Sequence, residues 1–389
     1  MEIIYIFNGR LPTEKAHGLQ IVKMCEAFAE DGNQVTLLSS YRRNFIKEDI
    51  FSFYSLKKNF VYHRAVGLDI SWISGRVVYY YIQTLLSAFI LVLRARRYQG
   101  QGVIFYARDY WALFFLSFFG MHPVAEIHDY RFKKPRWFIQ FIFNKSKKII
   151  VNSKGTKELL LNHYTFLESK ILIAPNGVDL VYFDIPESRE DARKKLGIPT
   201  GTILGYTGRL ETVGMDKGVG LLIEAVNTMR HKETLLYIVG GPNNQVEHFK
   251  EKVRKLGLDK QIIFTGQVAH TLIPKYLRAM DIVVIPLDSN QHALTTSPIK
   301  LFEYMAAGKV IISSDLLGLR EIISSSETVF FKPGDAHDLA NQIDKVISDP
   351  ELAKRLSVSS LNKAQQYSWL NRAQIIKKFI LSDANHRNN

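Results

Sequence analysis

Residues 202–226 read TILGYTGRLETVGMDKGVGLLIEAV. The apolar run Ile203–Tyr206 ends in Thr207-Gly208-Arg209, and Lys217-Gly218 precede a stretch in which Val219, Leu222, Ile223 and Val226 recur at helical spacing. A strand that turns on glycine into a helix is the first half of a crossover unit. Repeated, it builds a parallel sheet covered by helices on both faces.

The same rhythm extends in both directions. Strand candidates before this stretch are Glu2–Phe7, Gln34–Ser39, Phe60–Val66, Gly102–Tyr106, Val124–His128, Lys148–Val151 and Ile171–Ala174. After it come Leu235–Val239, Gln261–Phe264, Ile282–Ile285, Val310–Ser313 and Thr328–Phe331. The expected fold is α/β, with two Rossmann-like domains facing across a cleft. The span from Pro175 to Gly201 is rich in turn residues and charge. The boundaries expected are 1–184 for the first domain, 185–367 for the second, and 368–389 for a last helix crossing back to the first. Ligands of open α/β sheets bind beyond the carboxyl ends of the strands, so a site is expected in the cleft.

Length and composition bound the class. The chain has 389 residues, 47% hydrophobic and 23% charged, which suits two globular domains and excludes a disordered or fibrous protein. One cysteine, Cys25, excludes an internal disulfide and thiolate metal clusters. The amino terminus lacks the features of a signal peptide. Of the net charge of +14, residues 1–184 carry 24 basic against 15 acidic side chains. Between Tyr130 and Lys157 there are nine basic residues and no acid: Arg131, Lys133, Lys134, Arg136, Lys145, Lys147, Lys148, Lys154 and Lys157. Such a surface, interleaved with aromatic rings, attracts a polyanion. Val77–Leu93 is uncharged and closed by Arg94, Arg96 and Arg97. It reads as a mostly buried helix or one lying at a membrane interface, at the short edge of what spans a bilayer. No transmembrane segment is expected.

No dinucleotide fingerprint, phosphate loop, HExxH, nucleophile elbow or Asp-x-Asp pair occurs. What is present suits an anion. Gly208, Arg209 and Lys217 combine a glycine turn, a bidentate guanidinium and a lysine at a helix start. For a leaving diphosphate, two cations supply the neutralisation that a metal supplies elsewhere. Ser297-Pro298-Ile299-Lys300-Leu301-Phe302-Glu303 opens a second helix that closes at Gly308, and its free N–H groups form another cradle. Glu303 falls one turn in, within reach of a ribose diol. Glu126-Ile127-His128-Asp129 ends a strand, where His128 can donate a hydrogen bond to a sugar or shuttle a proton. Gly18, in the first helix, lets the backbone approach a ligand. Arg209 as an ion-pair partner of Glu211, and Glu303 as an exposed helical acid, are the plain alternatives.

Pro175-Asn176-Gly177-Val178-Asp179, Gly208-Arg209 with Lys217-Gly218, Val239-Gly240-Gly241-Pro242, and Pro298 through Gly308 occur in an order that resembles retaining glycosyltransferases of the GT-B fold, family 4. The likeness extends to members that build bacterial surface polysaccharides or lipid-linked glycans. It implies a nucleotide-sugar donor, a glycan or lipid-linked acceptor, no metal and no other cofactor. By the same resemblance Arg209 and Lys217 bind the departing diphosphate and Glu303 holds the ribose. Gly208 and backbone amides near Ser297, Ile299, Lys300 and Leu301 line the phosphates, and Thr295, Thr296 or a backbone group serves the sugar hydroxyls in place of a first glutamate. Val268, in the loop Gly266-Gln267-Val268, meets the base, His128 the sugar, and Gly18 a phosphate or the acceptor. A cytoplasmic protein, peripheral on anionic lipid at the inner face of the plasma membrane, is implied. Two departures stand out: Thr295 occupies the position where the family often has a first glutamate, and the interval from Arg209 to Lys217 is long, with residues 212–215 expected to bulge outward. The alternatives are a nucleotide-sugar epimerase on the same fold and a basic nucleic-acid-binding protein. The second leaves the ordered motifs without a role, so no nucleic acid is expected.

Overall fold

The structure, a computed structural model, describes residues 1–65, 69, 77–128, 134–212, 215–289, 295 and 297–382. It consists of two units, Met1–Pro175 with Trp369–Asn389, and Asn176–Ser368.

In the first unit β1 (Glu2–Phe7), β2 (Gln34–Ser39), β3 (Val61–Arg64), β4 (Val103–Ala107), β5 (Val124–Ile127), β6 (Lys148–Val151) and β7 (Ile171–Ile173) form one sheet. Its order is β3-β2-β1-β4-β5-β6-β7, and every pairing is parallel. Ile3, Ile4, Tyr5 and Ile6 of β1 are all fully buried, as a strand covered on both faces requires. Ile4 and Ile6 pack with the helices Val77–Ala95, Tyr110–Phe118 and Arg136–Lys145. Ile3 and Tyr5 face the helices Ala16–Glu30 and Trp369–Leu381. Each such side chain taken from water contributes about 1.5–3 kcal/mol.

The second unit repeats the plan with β8 (Ile203–Thr207), β11 (Leu235–Val239), β12 (Ile262–Gly266), β13 (Ile282–Ile285), β14 (Val310–Ser314) and β15 (Thr328–Phe331), in the parallel order β12-β11-β8-β13-β14-β15. Beside β8 the order reverses, because β11 is added on one side and β13 on the other. A small antiparallel ribbon, β9 (Glu211–Thr212) with β10 (Met215–Asp216), stands apart from this sheet.

The division falls at Pro175, earlier than the expected 184/185. The reason lies in the bonds of the next residues. Asn176 is tied to Ser297, the Val178 N–H donates to Tyr367 O (2.8 Å), and Val178 and Phe183 are buried in the second unit's core. The helix Trp369–Leu381 belongs to the first unit, where Trp369, Ala373, Ile376 and Ile380 lie buried. Residues 383–389 of the expected last segment lie outside the described residues.

Two surface expectations need correction. The helix Val77–Ala95 is only half buried: Ala88, Leu91, Val92 and Ala95 face inward, while Tyr80, Tyr81, Leu86, Ile90 and Leu93 are exposed. No described helix is long and apolar enough to cross a membrane. The basic window is not one surface either. Lys148 is buried with its ammonium 4.3 Å from the Phe379 ring centroid, and Lys157 pairs with Glu168 at 2.6 Å. Lys134 lies over Trp111, and Arg131 and Lys133 are outside the described residues.

Candidate active site

The loop leaving β8 is held from three sides. The Gly208 N–H donates to Val239 O at 2.8 Å, the Thr207 N–H to Tyr304 Oη at 2.8 Å, and Tyr206 Oη donates to Arg209 O at 2.7 Å. Gly208 and Gly240 both have φ of 113°, and a Cβ on Gly240 would lie 2.6 Å from Gly208 O. Glycine is therefore required in Val239-Gly240-Gly241 because two loops meet backbone to backbone at the carboxyl ends of β8 and β11. With its backbone fixed, the Arg209 side chain stays exposed, and no ion pair joins it to Glu211.

The ribbon β9–β10 accounts for the long interval after Arg209. The Lys217 N–H donates to Leu210 O at 2.9 Å, so the chain returns beside its departure point and brings Lys217 within electrostatic reach of Arg209. Burial, and then the Arg209 charge, lower the proton affinity of the half-buried Lys217 ammonium.

One expectation about this loop fails. The helix Val219–Thr228 offers no free start to a ligand, because the Asp216 carboxylate accepts from the Val219 N–H (2.8 Å) and the Gly220 N–H (2.9 Å). The chain's own acid occupies that end of the helix dipole. Gly218, with φ of 86°, serves close packing, since its Cβ would fall 1.6 Å from Pro286 O.

The helix Ile299–Ala306 is different: its N-cap residue is Pro298, and among the described residues no side-chain cap hydrogen bond is present. Its approach is anchored by Asn176, whose N–H donates to Ser297 Oγ (3.2 Å) and whose side-chain amide donates to Ser297 O (2.6 Å). The Pro-Asn-Gly turn thus holds this helix start, and Ser297 is committed to that task. Lys300 and Glu303 project from the first turns. The Lys300 ammonium lies 3.6 Å from the Tyr206 ring centroid and 3.6 Å from where a Gly208 Cβ would be. Glu303 Oε1 is 3.6 Å from His270 Nε2, and the His270 ring stacks on Tyr182 at 5.4 Å. Thr295 and Leu301 are buried, Ile299 is half-buried, and Val268 packs against the same core. Thr296 lies outside the described residues.

Gly208, Arg209, Lys217, Lys300 and Glu303 are therefore gathered where the strand order reverses, beside an uncapped helix start. Three cations meet one carboxylate. This excess of positive charge with directed N–H groups is of the kind that suits a multivalent anion.

The other expected residues lie in the first unit. Gly18 is buried in the helix Ala16–Glu30, and its missing Cβ leaves room for the Tyr54 hydroxyl, which would be 2.5 Å away. That hydroxyl accepts from the Thr13 N–H and donates to Thr13 O, each at 2.7 Å. Packing against its own loop is thus one reason for glycine here. His128 Nε2 is 2.5 Å from Glu126 Oε1. The same carboxylate accepts from Gln20 Nε2 (2.8 Å), Arg372 Nη2 (2.8 Å) and Tyr5 Oη (3.3 Å). Burial alone would raise the Glu126 carboxyl, but Arg372, His128 and Arg108 hold it well below its usual range. Burial and Arg108 outweigh Glu126 and push His128 down to about 4. His128 is then neutral, and its Nε2–H donates to the ionised Glu126 carboxylate. Among the described residues Nδ1 is the nitrogen left, and it is an acceptor. The ring nitrogen left for a ligand is therefore an acceptor, where a donor was expected.

Family models match both parts of the chain: "Glycosyltransferase Family 4" over residues 18–182 and "Glycosyl transferases group 1" over residues 188–361. The chain belongs to the GT-B glycosyltransferases of family 4. A D-inositol 3-phosphate glycosyltransferase of Stackebrandtia nassauensis is 24% identical over 58% of this chain and 52% of its own length. The chain thus spans about half the length of that relative. The sucrose-phosphate synthase of Thermosynechococcus elongatus shares the fold at 18% identity, with a TM-score of 0.77 over 100% of both chains. HepE of Anabaena, solved in complex with UDP, does so at 17% identity and a TM-score of 0.74, over 98% of this chain and 100% of its own.

In this family 4 glycosyltransferase, several partners of the candidate residues lie outside the motifs. Asp216 sits two residues before a helix-opening glycine, a capping signal that was legible. His270 and Tyr182 reach Glu303 from separate segments, and Arg372 reaches Glu126 from the far end of the chain, so neither had a local signal.

Proposed function

We propose that this protein transfers a sugar from a nucleotide-sugar donor to a glycan or lipid-linked acceptor, without a metal ion and with retention of the anomeric configuration. The observation that carries the reading is the group of Arg209, Lys217 and Lys300 around the uncapped helix start at the carboxyl end of β8. As the bond from the sugar to the diphosphate breaks, negative charge grows on the leaving oxygen. Arg209 is free to grip it in bidentate fashion, and Lys217 adds a point charge. On the same face the departing phosphate oxygen takes the proton of the attacking hydroxyl. Glu303 accepts from the ribose hydroxyls, and neutral His128 orients the sugar. The UDP complex of HepE supports a nucleoside diphosphate as the leaving group.

A panel of UDP, GDP and ADP in a thermal-unfolding assay tests this. One of them, at a hundredfold excess over its dissociation constant, stabilises the protein by about 2.7 kcal/mol and raises the midpoint by several degrees. No shift with any of the three at millimolar concentration removes the reading.

The acceptor's lipid link fits the first unit. Tyr80, Tyr81, Leu86, Ile90 and Leu93 are exposed on the helix Val77–Ala95, as are Phe118 on the helix beside it and Trp137 on the helix Arg136–Lys145 that packs on that one. Phe89–Phe115 and Phe114–Phe138 ring contacts, at 5.2 and 4.8 Å, join these three helices into one face. Arg94, Arg96, Arg97, Arg136 and Lys145 lie on the same helices or just beyond them. Apolar rings beside guanidinium and ammonium groups match an anionic bilayer surface, the inner face of the plasma membrane. Sedimentation with vesicles containing 30% anionic lipid, roughly a cytoplasmic-leaflet charge, is expected to exceed sedimentation with neutral vesicles. Equal partition rejects this placement.

A further inference from the structure

Lys300 is held in an unusual way. Its stem is partly exposed, yet its ammonium is buried and has no hydrogen-bond partner among the described residues. The contact it does have is the Tyr206 ring face at 3.6 Å. A buried ammonium without hydrogen bonds is costly, and a cation–π contact offsets part of that cost. Tyr206 faces it from β8, Lys217 from the loop before the helix Val219–Thr228, and Glu303 from one turn along its own helix. Arg209 in turn faces Lys217. Gly208, where a side chain would approach the ammonium, has none.

We propose that the Lys300 side chain is a third cationic ligand of the donor's diphosphate, kept on the Tyr206 ring in the free protein and turned onto a phosphate oxygen when the donor binds. This rests on the diphosphate reading of the site and adds to it a side chain for which only the backbone was expected to serve.

A change in proton binding follows. Burial, and then the Lys217 charge, hold the free ammonium well below its ordinary value of 10.5, with Glu303 opposing them. A diphosphate beside it favours the charged form and raises that value again. Between the two values the free protein lacks the proton and the complex holds it, so binding takes up as much as one proton. Affinity then weakens with rising pH, by up to about tenfold per unit, across that window. Below the free protein's value the amine is charged in both states and contributes no slope.

Calorimetric titration with UDP, GDP and ADP from pH 6 to 9, in two buffers of different ionisation enthalpy, reads both affinity and proton uptake. Lys300→Met is expected to bind the preferred nucleotide roughly 10–100-fold more weakly, as loss of a charge-assisted bond does, and to take up fewer protons than the parent. Residual proton exchange belongs to Lys217 and to the nucleotide's own terminal phosphate, which the parent and both variants share. Lys300→Arg, which stays charged throughout, keeps most of the affinity and loses the same part of the uptake. It also serves should the methionine variant not fold. If either folded variant keeps both parental affinity and parental proton uptake, the proposal is overturned while the diphosphate site stands. If no nucleotide binds even the parent protein, both fall together.

Discussion

Arg209→Ala is expected to lower kcat/KM for sugar transfer by roughly 10²–10³-fold, the usual result of removing one preorganised donor from a developing oxyanion. The fold should remain intact. Arg209 is exposed and unpaired with Glu211, and the contact at this position that supports the loop comes from its carbonyl, which accepts from Tyr206 Oη and is kept in the variant. The unfolding midpoint should therefore move by no more than an ordinary surface substitution allows, about 0.5 kcal/mol. Arg209→Lys retains the charge but loses the bidentate fork, so it should fall between the two. Transfer from a labelled nucleotide sugar, measured beside thermal unfolding, separates chemistry from stability. An alanine variant within threefold of the parent would dismiss the role given to this guanidinium.

The second large effect is on stability. Arg372 is nearly inaccessible, with 4% of its side chain exposed, and it pairs with a Glu126 side chain that has none exposed. It also donates to Pro175 O at 2.8 Å and Ala174 O at 3.1 Å. Arg372→Met leaves the Glu126 charge in the interior without its directly bonded cation, with Gln20, Tyr5 and neutral His128 as hydrogen-bond donors and the Arg108 charge as the remaining counter-charge. Breaking one side of a buried pair costs about 3–5 kcal/mol. Combining it with Glu126→Gln removes the stranded charge and should recover a substantial part of that loss. Urea unfolding of the two single variants and the double variant measures the coupling. A single-variant loss below 1 kcal/mol, or no recovery in the double, would show that this pair does not hold the last helix to the first unit.

These two residues mark how unevenly the chain reveals itself. Arg209 stands in a local pattern of strand, glycine turn and helix, and such a pattern is legible because strand and helix periods differ. All thirteen main-sheet strands were legible for the same reason, from β1 to β15 without the ribbon β9–β10. Arg372 carried no local mark. Its partner lies 246 positions away along the chain, and only packing of the last helix beside the helix Ala16–Glu30 brings the two together. The same limit applies to Glu303, which meets His270 and Tyr182 by way of the core.

Side-chain chemistry was the least legible of all. His128 is expected as a donor, but its Nε2–H already donates to the Glu126 carboxylate, and burial keeps the ring neutral. Lys148 was counted with a basic surface and lies in the interior against Phe379. The helix start at Gly218 looked like an anion cradle and is filled by Asp216. The order of residues, through periodicity and through glycines spaced for tight turns, was enough to establish two parallel α/β units and to point to the glycine turn after β8 as a candidate anion site. Which cations stand free there, which are spent on internal acids, and which proton each ring or ammonium holds were decided by the folded state. Those properties depend on burial and on the charges brought close, and both arise from contacts between segments far apart in the chain.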